Sequence, residues 1–205
     1  MRYSCTEAGI GLGTAFDAPP EDAEVSVGRP HAGVELTIRL NDEVLADGDE
    51  GEVCLRSPAA MVGYHRDPEG TRDAFTRDGA VRTGDIGYID TEGRLRLVGR
   101  SKERYVRGGY NVYPAEVEQV LAEHPAVAEV AVAPRADEVM GEVGVAVVVP
   151  VAGEPAPSVE ELQAFAGNRL ARHKLPTSVM AASALPLTAA EKLDRRALRR
   201  LVADE

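Results

Sequence analysis

The sequence contains no tryptophan, only two cysteines and no long apolar run. Cys5 and Cys54 are too few for a disulfide scaffold and lack the spacing of metal ligands, which predicts a reducing compartment. No apolar run approaches the ~18 residues that a membrane span requires. Residues 1–20 also lack the charged and apolar regions of a signal peptide. From these absences we expect a cytoplasmic protein without a membrane span.

Positive charge is scarce as well, because 34 acidic residues outnumber 23 basic ones and the net charge is −11. Nucleic acids and anionic membranes both require a basic face on their partner. The charge balance therefore argues against a nucleic-acid partner. With 205 residues, of which 44% are hydrophobic, the chain has an ordinary globular composition and room for one large or two modest domains.

Lysine is the rarest charged residue, and the chain has only Lys102, Lys174 and Lys192. Because lysine offers a compact and flexible ammonium that arginine does not, each of the three is a candidate for a functional position. A bias in genome composition would explain the same counts equally well. For Lys174 we expect only packing or pairing at a domain surface, without a catalytic role.

Residues 99–114 concentrate basic side chains ahead of two glycines, Gly108 and Gly109. Glycine allows backbone conformations that other residues resist and lets a ligand approach the main chain. Arginine and lysine are the usual partners of phosphate groups. Taken alone, the segment is also typical of a solvated basic loop. The basic residues are Arg100, Lys102, Arg104 and Arg107.

Residues 1–98 are predicted to form a mainly antiparallel β domain. Alternating stretches at 34–40 and 52–56 flank a turn-rich segment, and a hairpin is predicted at 86–98. The glycine-rich residues 9–13 are discounted as a phosphate loop, because no strand is predicted before them. We expect this half of the chain to have little core of its own.

Residues 99–205 are predicted to form a small α+β domain of normal size. Pro114 is a favourable first residue for a helix that ends near His124. Ser158 and Glu161 predict the capping box of a second helix. Further elements are strands at 127–133, 143–149 and 178–181 and a basic helix from about residue 194. The fold class expected for the whole chain is α+β.

Five stretches of the chain carry a resemblance to a known family. They are residues 3–7 (Tyr-Ser-Cys-Thr-Glu), 51–58, 82–85 (Arg-Thr-Gly-Asp), 99–114, and 174–176 with 191–195. In their order and spacing they resemble the motifs of the adenylate-forming superfamily, which includes acyl-CoA synthetases, the adenylation domains of peptide synthetases and the beetle luciferases. One motif alone would be weak, but five in register cover almost the whole chain.

The resemblance also implies a missing part. The family's early Ser/Thr/Gly-rich phosphate loop lies upstream of the motif with which this chain begins. Residues 1–98 are therefore expected to be the C-terminal β portion of a truncated AMP-binding domain. Residues 99–205 are expected to be the mobile C-terminal domain of the family. A separate N-terminal ligase fragment is among the partners that this interpretation allows.

The resemblance assigns residues to the nucleotide and its metal ion. Tyr3, Thr6, Asp85 and Arg100 are the implied nucleotide-binding residues, with Asp85 accepting hydrogen bonds from the ribose hydroxyls. Glu7 is the implied Mg²⁺ ligand, because a carboxylate beside phosphates requires a bridging cation. Outside this context, Thr6 and Glu7 would be an ordinary turn pair and Asp85 the cap of a turn.

The remaining assignments concern motion and chemistry. Lys102 falls at the family's hinge, although a solvated linker lysine is the plain alternative. Gly108 and Gly109 are expected to line the coenzyme A channel or merely to support a turn. Lys192 is the implied catalytic residue, whose ammonium stabilises the charge that develops on the α-phosphate of ATP. Glu191 departs from the family's usual glycine, and its carboxylate is placed to draw Lys192 away from phosphate.

By this resemblance the complete enzyme uses ATP and Mg²⁺ to adenylate a small-molecule carboxylic acid, fatty or related, and passes the acyl group to coenzyme A; medium or long fatty, alicyclic and aromatic acids stay open. Residues 108–118 are closer to acyl-CoA ligases than to peptide-synthetase domains, which favours coenzyme A as the thiol. Three alternatives stay open. They are an adenylating module that loads a carrier protein, a non-catalytic or split-enzyme fragment, and an α+β domain unrelated to ligases.

Overall fold

The computed structural model describes residues 1–203, which form two compact units. The first unit is Met1–Lys102 and the second begins at Glu103. Both combine β-sheets with short helices, which confirms the α+β prediction. The sequence placed the boundary after residue 98, four residues earlier than the structural one. The assignment of the two parts to enzyme domains stays a prediction.

The first unit begins with a three-stranded antiparallel sheet made of β1 (Arg2–Cys5), β2 (Gly9–Gly13) and β3 (Arg29–Pro30). The sequence analysis predicted no strand here, because glycine has low strand propensity. Close packing explains the glycine: a Cβ on Gly11 would lie 2.7 Å from the Cδ1 atom of Leu55. A side chain at this position would therefore require the buried Leu55 side chain or the strand to shift.

A second, five-stranded antiparallel sheet has the strand order β5-β4-β6-β7-β8. Its strands are β4 (Glu35–Leu40), β5 (Glu43–Val44), β6 (Gly51–Arg56), β7 (Val81–Ile89) and β8 (Leu95–Arg100). The two predicted strands and the predicted hairpin are confirmed. Two helices of six residues, α1 (Pro20–Val25) and α2 (Pro68–Asp73), were not predicted, because they are too short to show helical periodicity.

Side chains from both sheets form one hydrophobic core in this unit, contrary to the expectation that it would have little core. The buried residues are Tyr3, Ala8, Leu12, Ile38, Val53, Leu55, Val81 and Leu95. The core joins the first sheet to the second, so that residues far apart in the chain are held in fixed positions. This arrangement supports the site described below.

The second unit is built on a five-stranded sheet with the order β10-β9-β12-β11, beside which β13 pairs in parallel with β12. The strands are β9 (Tyr105–Arg107), β10 (Tyr110–Val112), β11 (Val127–Asp137), β12 (Gly141–Pro150) and β13 (Ser178–Ala181). The three strands predicted from apolar runs are confirmed. Two of them are longer than predicted, because the β11–β12 pairing continues through polar residues as far as Asp137 and Gly141.

Three helices cover this sheet: α3 (Pro114–Leu121), α4 (Val159–Ala166) and α5 (Arg195–Ala203). The predicted capping box is confirmed, since Glu161 N donates to Ser158 Oγ at 3.2 Å and Ser158 N donates to Glu161 Oε2 at 2.7 Å. No helix among residues 1–203 is long and apolar enough to cross a membrane.

The sheet of the second unit is apolar on both faces. Alternate residues of β11 and β12, such as Val132 and Ala146, belong to a core with α3 and α4. Their neighbours Ala133 and Val145 belong to a separate core with α5. Because successive strand residues point to opposite faces, an unbroken apolar run is what a sheet covered on both sides requires.

Candidate functional site

Three of the predicted nucleotide-binding residues meet in the first unit around Asp85. Asp85 lies in β7 and is only 8% exposed. Tyr3 Oη donates a hydrogen bond to Asp85 Oδ2 at 2.6 Å, and Arg100 Nε lies 3.0 Å from Asp85 Oδ1. The register of β7 and β8 pairs Asp85 directly with Arg100. The fold therefore brings together residues that lie 82 positions apart in the chain.

Burial and hydrogen bonding determine the charges in this cluster. Burial raises the pKa of Tyr3 far above its ordinary value, and its hydrogen bond to Asp85 raises the pKa further. Tyr3 is therefore a neutral donor at physiological pH. The Arg100 side chain is 67% exposed, so its ion pair with Asp85 contributes at most about 1 kcal/mol. Arg100 can leave Asp85 at little cost, whereas Tyr3 is fixed.

The backbone before Asp85 is held by a side chain that the sequence analysis did not single out. Thr83 Oγ1 donates to the carbonyl oxygen of Val53 at 2.8 Å and accepts from Asp85 N at 3.1 Å. The Asp85 carboxylate binds Tyr3 and Arg100. The alternative that Asp85 merely caps a turn therefore does not match its geometry. Thr83 lies within the Arg-Thr-Gly-Asp motif, which was its only signal in the sequence.

Glu7 lies in the turn between β1 and β2 and has partners from the segment 61–64. Tyr64 Oη donates to Glu7 Oε1 at 2.8 Å, and Met61 N donates to the carbonyl oxygen of Glu7 at 2.7 Å. The pKa of Tyr64 is raised, mainly because its hydroxyl donates to this carboxylate. Thr6 is exposed, and its hydroxyl has no protein partner in the part of the chain that the structure describes.

Glu7 and Tyr64 line a cleft of about 480 Å³ in the first unit. The cleft also contains Glu52, whose carboxylate is paired with Arg82 at 2.8 Å. Lys102 lies at the rim, is exposed, and is the last residue of the first unit. Within residues 1–203 it forms no ion pair. Of the two glutamates that line the cleft, Glu52 is paired with an arginine, whereas Glu7 forms no ion pair among residues 1–203.

The cleft fits a metal ion only if a ligand brings further oxygens. Across residues 1–203, no group of three or more His, Cys, Asp or Glu side chains is arranged to hold a metal ion. Glu7 offers one carboxylate, of which Oε2 has no protein partner in that same range. Mg²⁺ commonly binds through one or two carboxylates together with phosphates and water. The donor set therefore suits a cation that arrives with a phosphate ligand.

Gly108 and Gly109 form the tight turn between β9 and β10 in the second unit. Their φ angles are +55° and +86°, a region that side chains rarely adopt. A Cβ on Gly109 would meet no atom within 4 Å, so conformation rather than lack of space requires glycine there. The geometry therefore agrees with the alternative that the two glycines support a turn. The role in a coenzyme A channel stays a prediction.

Lys192 lies in an exposed loop that is closed by a β-bridge between Leu187 and Leu193. Thr188 N donates to the carbonyl oxygen of Lys192 at 2.7 Å, which fixes the backbone. Glu191 has a φ of +56°, the left-handed region that favours glycine. In the described chain Lys192 forms no ion pair, so Glu191 does not hold its ammonium.

Lys174 has a structural role, as the sequence analysis expected. Its Nζ atom lies 2.6 Å from Glu116 Oε1, and both side chains are largely buried. Arg195, which follows Lys192 by three positions, pairs with both carboxylate oxygens of Glu118 in α3. The Arg195 pair attaches the segment that follows the Lys192 loop to α3.

Comparisons with known proteins find relatives for both units. The family model described as "AMP-binding enzyme" matches residues 2–65, and the model described as "AMP-binding enzyme C-terminal domain" matches residues 116–192. A 3-[(3aS,4S,7aS)-7a-methyl-1,5-dioxo-octahydro-1H-inden-4-yl]propanoyl:CoA ligase of Mycobacterium tuberculosis is 45% identical over 97% of this chain and 38% of its own length. An indoleacetate–CoA ligase of Aromatoleum aromaticum is 42% identical over 90% of this chain and 36% of its own length.

Solved structures give the same result. The amide bond synthetase McbA of Marinactinospora thermotolerans is 36% identical, with a TM-score of 0.89 over 99% of this chain and 41% of that chain. ATP-bound MatB of Rhodopseudomonas palustris is 31% identical, with a TM-score of 0.87 over 99% of this chain and 40% of that chain. The chain therefore spans about two fifths of the length of its relatives. Together with the two family models, these similarities show that it belongs to the adenylate-forming, AMP-binding enzymes.

Proposed function

We propose that this chain is part of an ATP-dependent acid–CoA ligase, which adenylates a carboxylic acid and transfers the acyl group to coenzyme A. The observation that carries the proposal is the Asp85 carboxylate, buried, held by Tyr3 and faced by a loosely paired Arg100. Because the relatives are longer, the activity belongs to this chain together with the remaining length of such an enzyme. That length is either in one polypeptide or supplied separately.

Asp85 suits the ribose of the nucleotide. Tyr3 occupies one lone pair of Oδ2, and Arg100 is exposed enough to move away from Oδ1. Two adjacent ribose hydroxyls would then donate to the same carboxylate. Each hydrogen bond to a charged group contributes roughly 1.5–3 kcal/mol. Arg100, once released, is free to contact the ribose or the phosphate side of the nucleotide.

Glu7 and Thr6 are proposed to face the phosphates. Bound Mg²⁺ would supply charge neutralisation between the Glu7 carboxylate and the phosphate oxygens, which otherwise repel each other. The chain contributes the Glu7 carboxylate, which lines the cleft and whose Oε2 atom has no protein partner among residues 1–203, and the exposed hydroxyl of the preceding residue, Thr6. Both side chains come from the short turn after β1, so one backbone segment positions them.

Lys192 is proposed to stabilise the α-phosphate while the acid attacks it and pyrophosphate leaves. Its exposed ammonium and its backbone-fixed loop suit a residue that must meet a ligand from another surface. The hinge role of Lys102 is supported by its position immediately before the boundary of the two units. Gly108 and Gly109 are proposed to line the path of the pantetheine arm, since their exposed turn lacks side chains.

The acid is proposed to be a fatty or related carboxylate, of the kinds that the names of the relatives mention. The two ligases described above are named for an octahydroindenyl propanoate and for indoleacetate, and a further Mycobacterium tuberculosis relative, 42% identical over 96% of this chain and 39% of its own length, is named a long-chain fatty acid–CoA ligase. A carrier protein in place of coenzyme A is the alternative acceptor. A cytoplasmic location, expected from the sequence, stays a prediction.

The test is acid-dependent exchange of labelled pyrophosphate into ATP. The purified chain is assayed alone and then with the N-terminal part of the Mycobacterium tuberculosis relative. We expect exchange only after complementation, and we expect Asp85→Asn to raise the ATP concentration for half-maximal exchange by about tenfold, as the loss of about 1.4 kcal/mol predicts. Asp49→Asn, in an exposed loop, is the matched control.

Two results would contradict the proposal. Absence of exchange with every acid after complementation would reject adenylation. Equal ATP dependence of the two asparagine variants would reject the role of Asp85. With exchange established, coenzyme A and a carrier protein are compared as acceptors of the acyl group.

A further inference from the structure

We propose that Tyr64 is a positioning residue that fixes the Glu7 carboxylate in the orientation in which it binds a nucleotide-bound divalent cation. The inference rests on the proposed function, because it assumes that Glu7 meets such a nucleotide. Tyr64 belongs to none of the five motifs and lies 57 positions from Glu7. Their hydrogen bond is therefore a product of the fold alone.

The segment 61–64 contacts Glu7 at both of its ends. Met61 N donates to its backbone carbonyl at 2.7 Å, and Tyr64 Oη donates to its carboxylate at 2.8 Å. A glutamate that is fixed only at its backbone samples several rotamers. The second contact selects among these rotamers. It occupies Oε1 and leaves Oε2 without a protein partner in the described range, in a residue that lines the cleft.

Tyr64 is itself held by the start of α2. Its backbone N donates to Thr71 Oγ1 at 2.8 Å, and Thr71 Oγ1 donates to the carbonyl oxygen of Asp67 at 2.7 Å. Asp67 caps α2 by accepting from Gly70 N at 2.8 Å. Tyr64 therefore lies in a loop that is attached to a capped helix. Such an attachment suits a side chain that has to hold the Glu7 carboxylate in one orientation.

The chemistry of the donor favours positioning over charge neutralisation. In the same cleft, Glu52 is paired with the cationic Arg82. Glu7 instead receives a neutral hydroxyl, which orients the carboxylate without compensating its negative charge. The Tyr64 side chain is 42% exposed, so the bond contributes little to folding. A hydrogen-bonded partner that orients a metal-binding carboxylate typically changes metal affinity by 10–100-fold.

The experiment measures Mn²⁺ binding in the presence of saturating ATP by electron paramagnetic resonance of the free ion. It uses the chain complemented as above. Tyr64→Phe removes only the hydroxyl. Tyr88→Phe makes the same change at a tyrosine in β7 whose hydroxyl has no protein partner among residues 1–203, and serves as the control. Glu7→Gln gives the effect of losing the metal-binding charge.

We expect Tyr64→Phe to raise the apparent dissociation constant for Mn²⁺ about tenfold, and Tyr88→Phe to leave it unchanged. In the exchange assay, Tyr64→Phe should need about tenfold more Mg²⁺ for half-maximal rate yet reach the wild-type maximal rate. Thermal unfolding of the two phenylalanine variants should coincide. This combination is not expected of a tyrosine with a merely structural role.

The outcomes separate this inference from the proposed function. Wild-type Mn²⁺ affinity in Tyr64→Phe, or in Glu7→Gln, would overturn the inference even if exchange is normal. Absence of exchange together with Mn²⁺ binding that depends on Tyr64 would reject the ligase reaction and retain the positioning role. Absence of Mn²⁺ binding by the wild-type complex would reject both.

Discussion

Arg195 is expected to be the strongest single electrostatic contributor to the attachment of α5 in the second unit. Its side chain is 28% exposed, and Glu118, which it binds through both carboxylate oxygens, is 15% exposed. Burial lowers the pKa of Arg195, but the hydrogen bond and charge of Glu118 outweigh this and raise it. The pair is thus partly desolvated and bidentate, the geometry in which an ion pair stabilises most.

Replacing Arg195 by methionine keeps the aliphatic stem and removes the charge. Glu118 would keep only its hydrogen bond from Val132 N, at 2.7 Å. Hydrogen bonds to charged groups contribute roughly 1.5–3 kcal/mol, so we expect a loss of about 2 kcal/mol. For a unit of about 100 residues this corresponds to a fall in the melting temperature of about 8–16 °C.

The assay is urea and thermal unfolding, combined with hydrogen exchange of peptides from α3 and α5, because the two units need not unfold together. Arg196→Met, at the next and exposed position, is the matched control and should change stability by less than about 0.5 kcal/mol. A double-mutant cycle with Glu118→Gln isolates the pair. Equal stability of the two methionine variants, or a coupling energy near zero, would refute the reasoning.

Three further predictions concern pH, backbone strain and catalysis. Burial raises the pKa of Asp90, but hydrogen bonds from Arg94 and Arg96 lower it to about 2. Because the folded pKa lies below the ordinary value of 3.8, the ionised Asp90 stabilises the folded state fully above about pH 4, and this contribution is lost as the pH falls to about 2. Acid unfolding of the wild type and of Asp90→Asn will measure the difference. Glu191→Gly should stabilise the second unit by up to about 1 kcal/mol in urea unfolding, because it relieves a left-handed φ, and unchanged or lower stability would contradict this. Lys192→Ala should lower exchange by the complemented enzyme by about 10²–10³-fold without changing the melting temperature, and an unaltered rate would remove Lys192 from the chemistry.

Local signals in the sequence were sufficient for the elements that have strong periodicity or capping. Ser158 and Glu161 predicted a capping box that the structure contains, and the apolar runs predicted β11 and β12. These features depend on residues close in sequence. The hairpin of β1 and β2 was missed, because its glycines have low strand propensity and the close contact that Gly11 makes with Leu55 is a tertiary one.

In the candidate site, only the residues that belong to sequence motifs could be predicted. Tyr3, Asp85 and Arg100 were each singled out, and the structure brings the three together. Their geometry still depends on two sheets meeting through a shared core, which no local pattern encodes. Tyr64 had no motif, and its partner Glu7 is 57 positions away. Such long-range polar contacts follow from tertiary packing alone.

The central strand of the second unit has a consequence for handling and truncating the protein. Residues 143–149 carry no charge and no proline, and valine dominates them. Segments of this kind stack into amyloid-like cross-β structure when they are exposed. In the folded unit α5 covers one face through Leu198 and Val202. Removing α5, by proteolysis or by truncating the expressed sequence before it, should therefore expose this strand and cause the second unit to aggregate. We thus expect α5 to keep the unit soluble as well as to pack against its sheet.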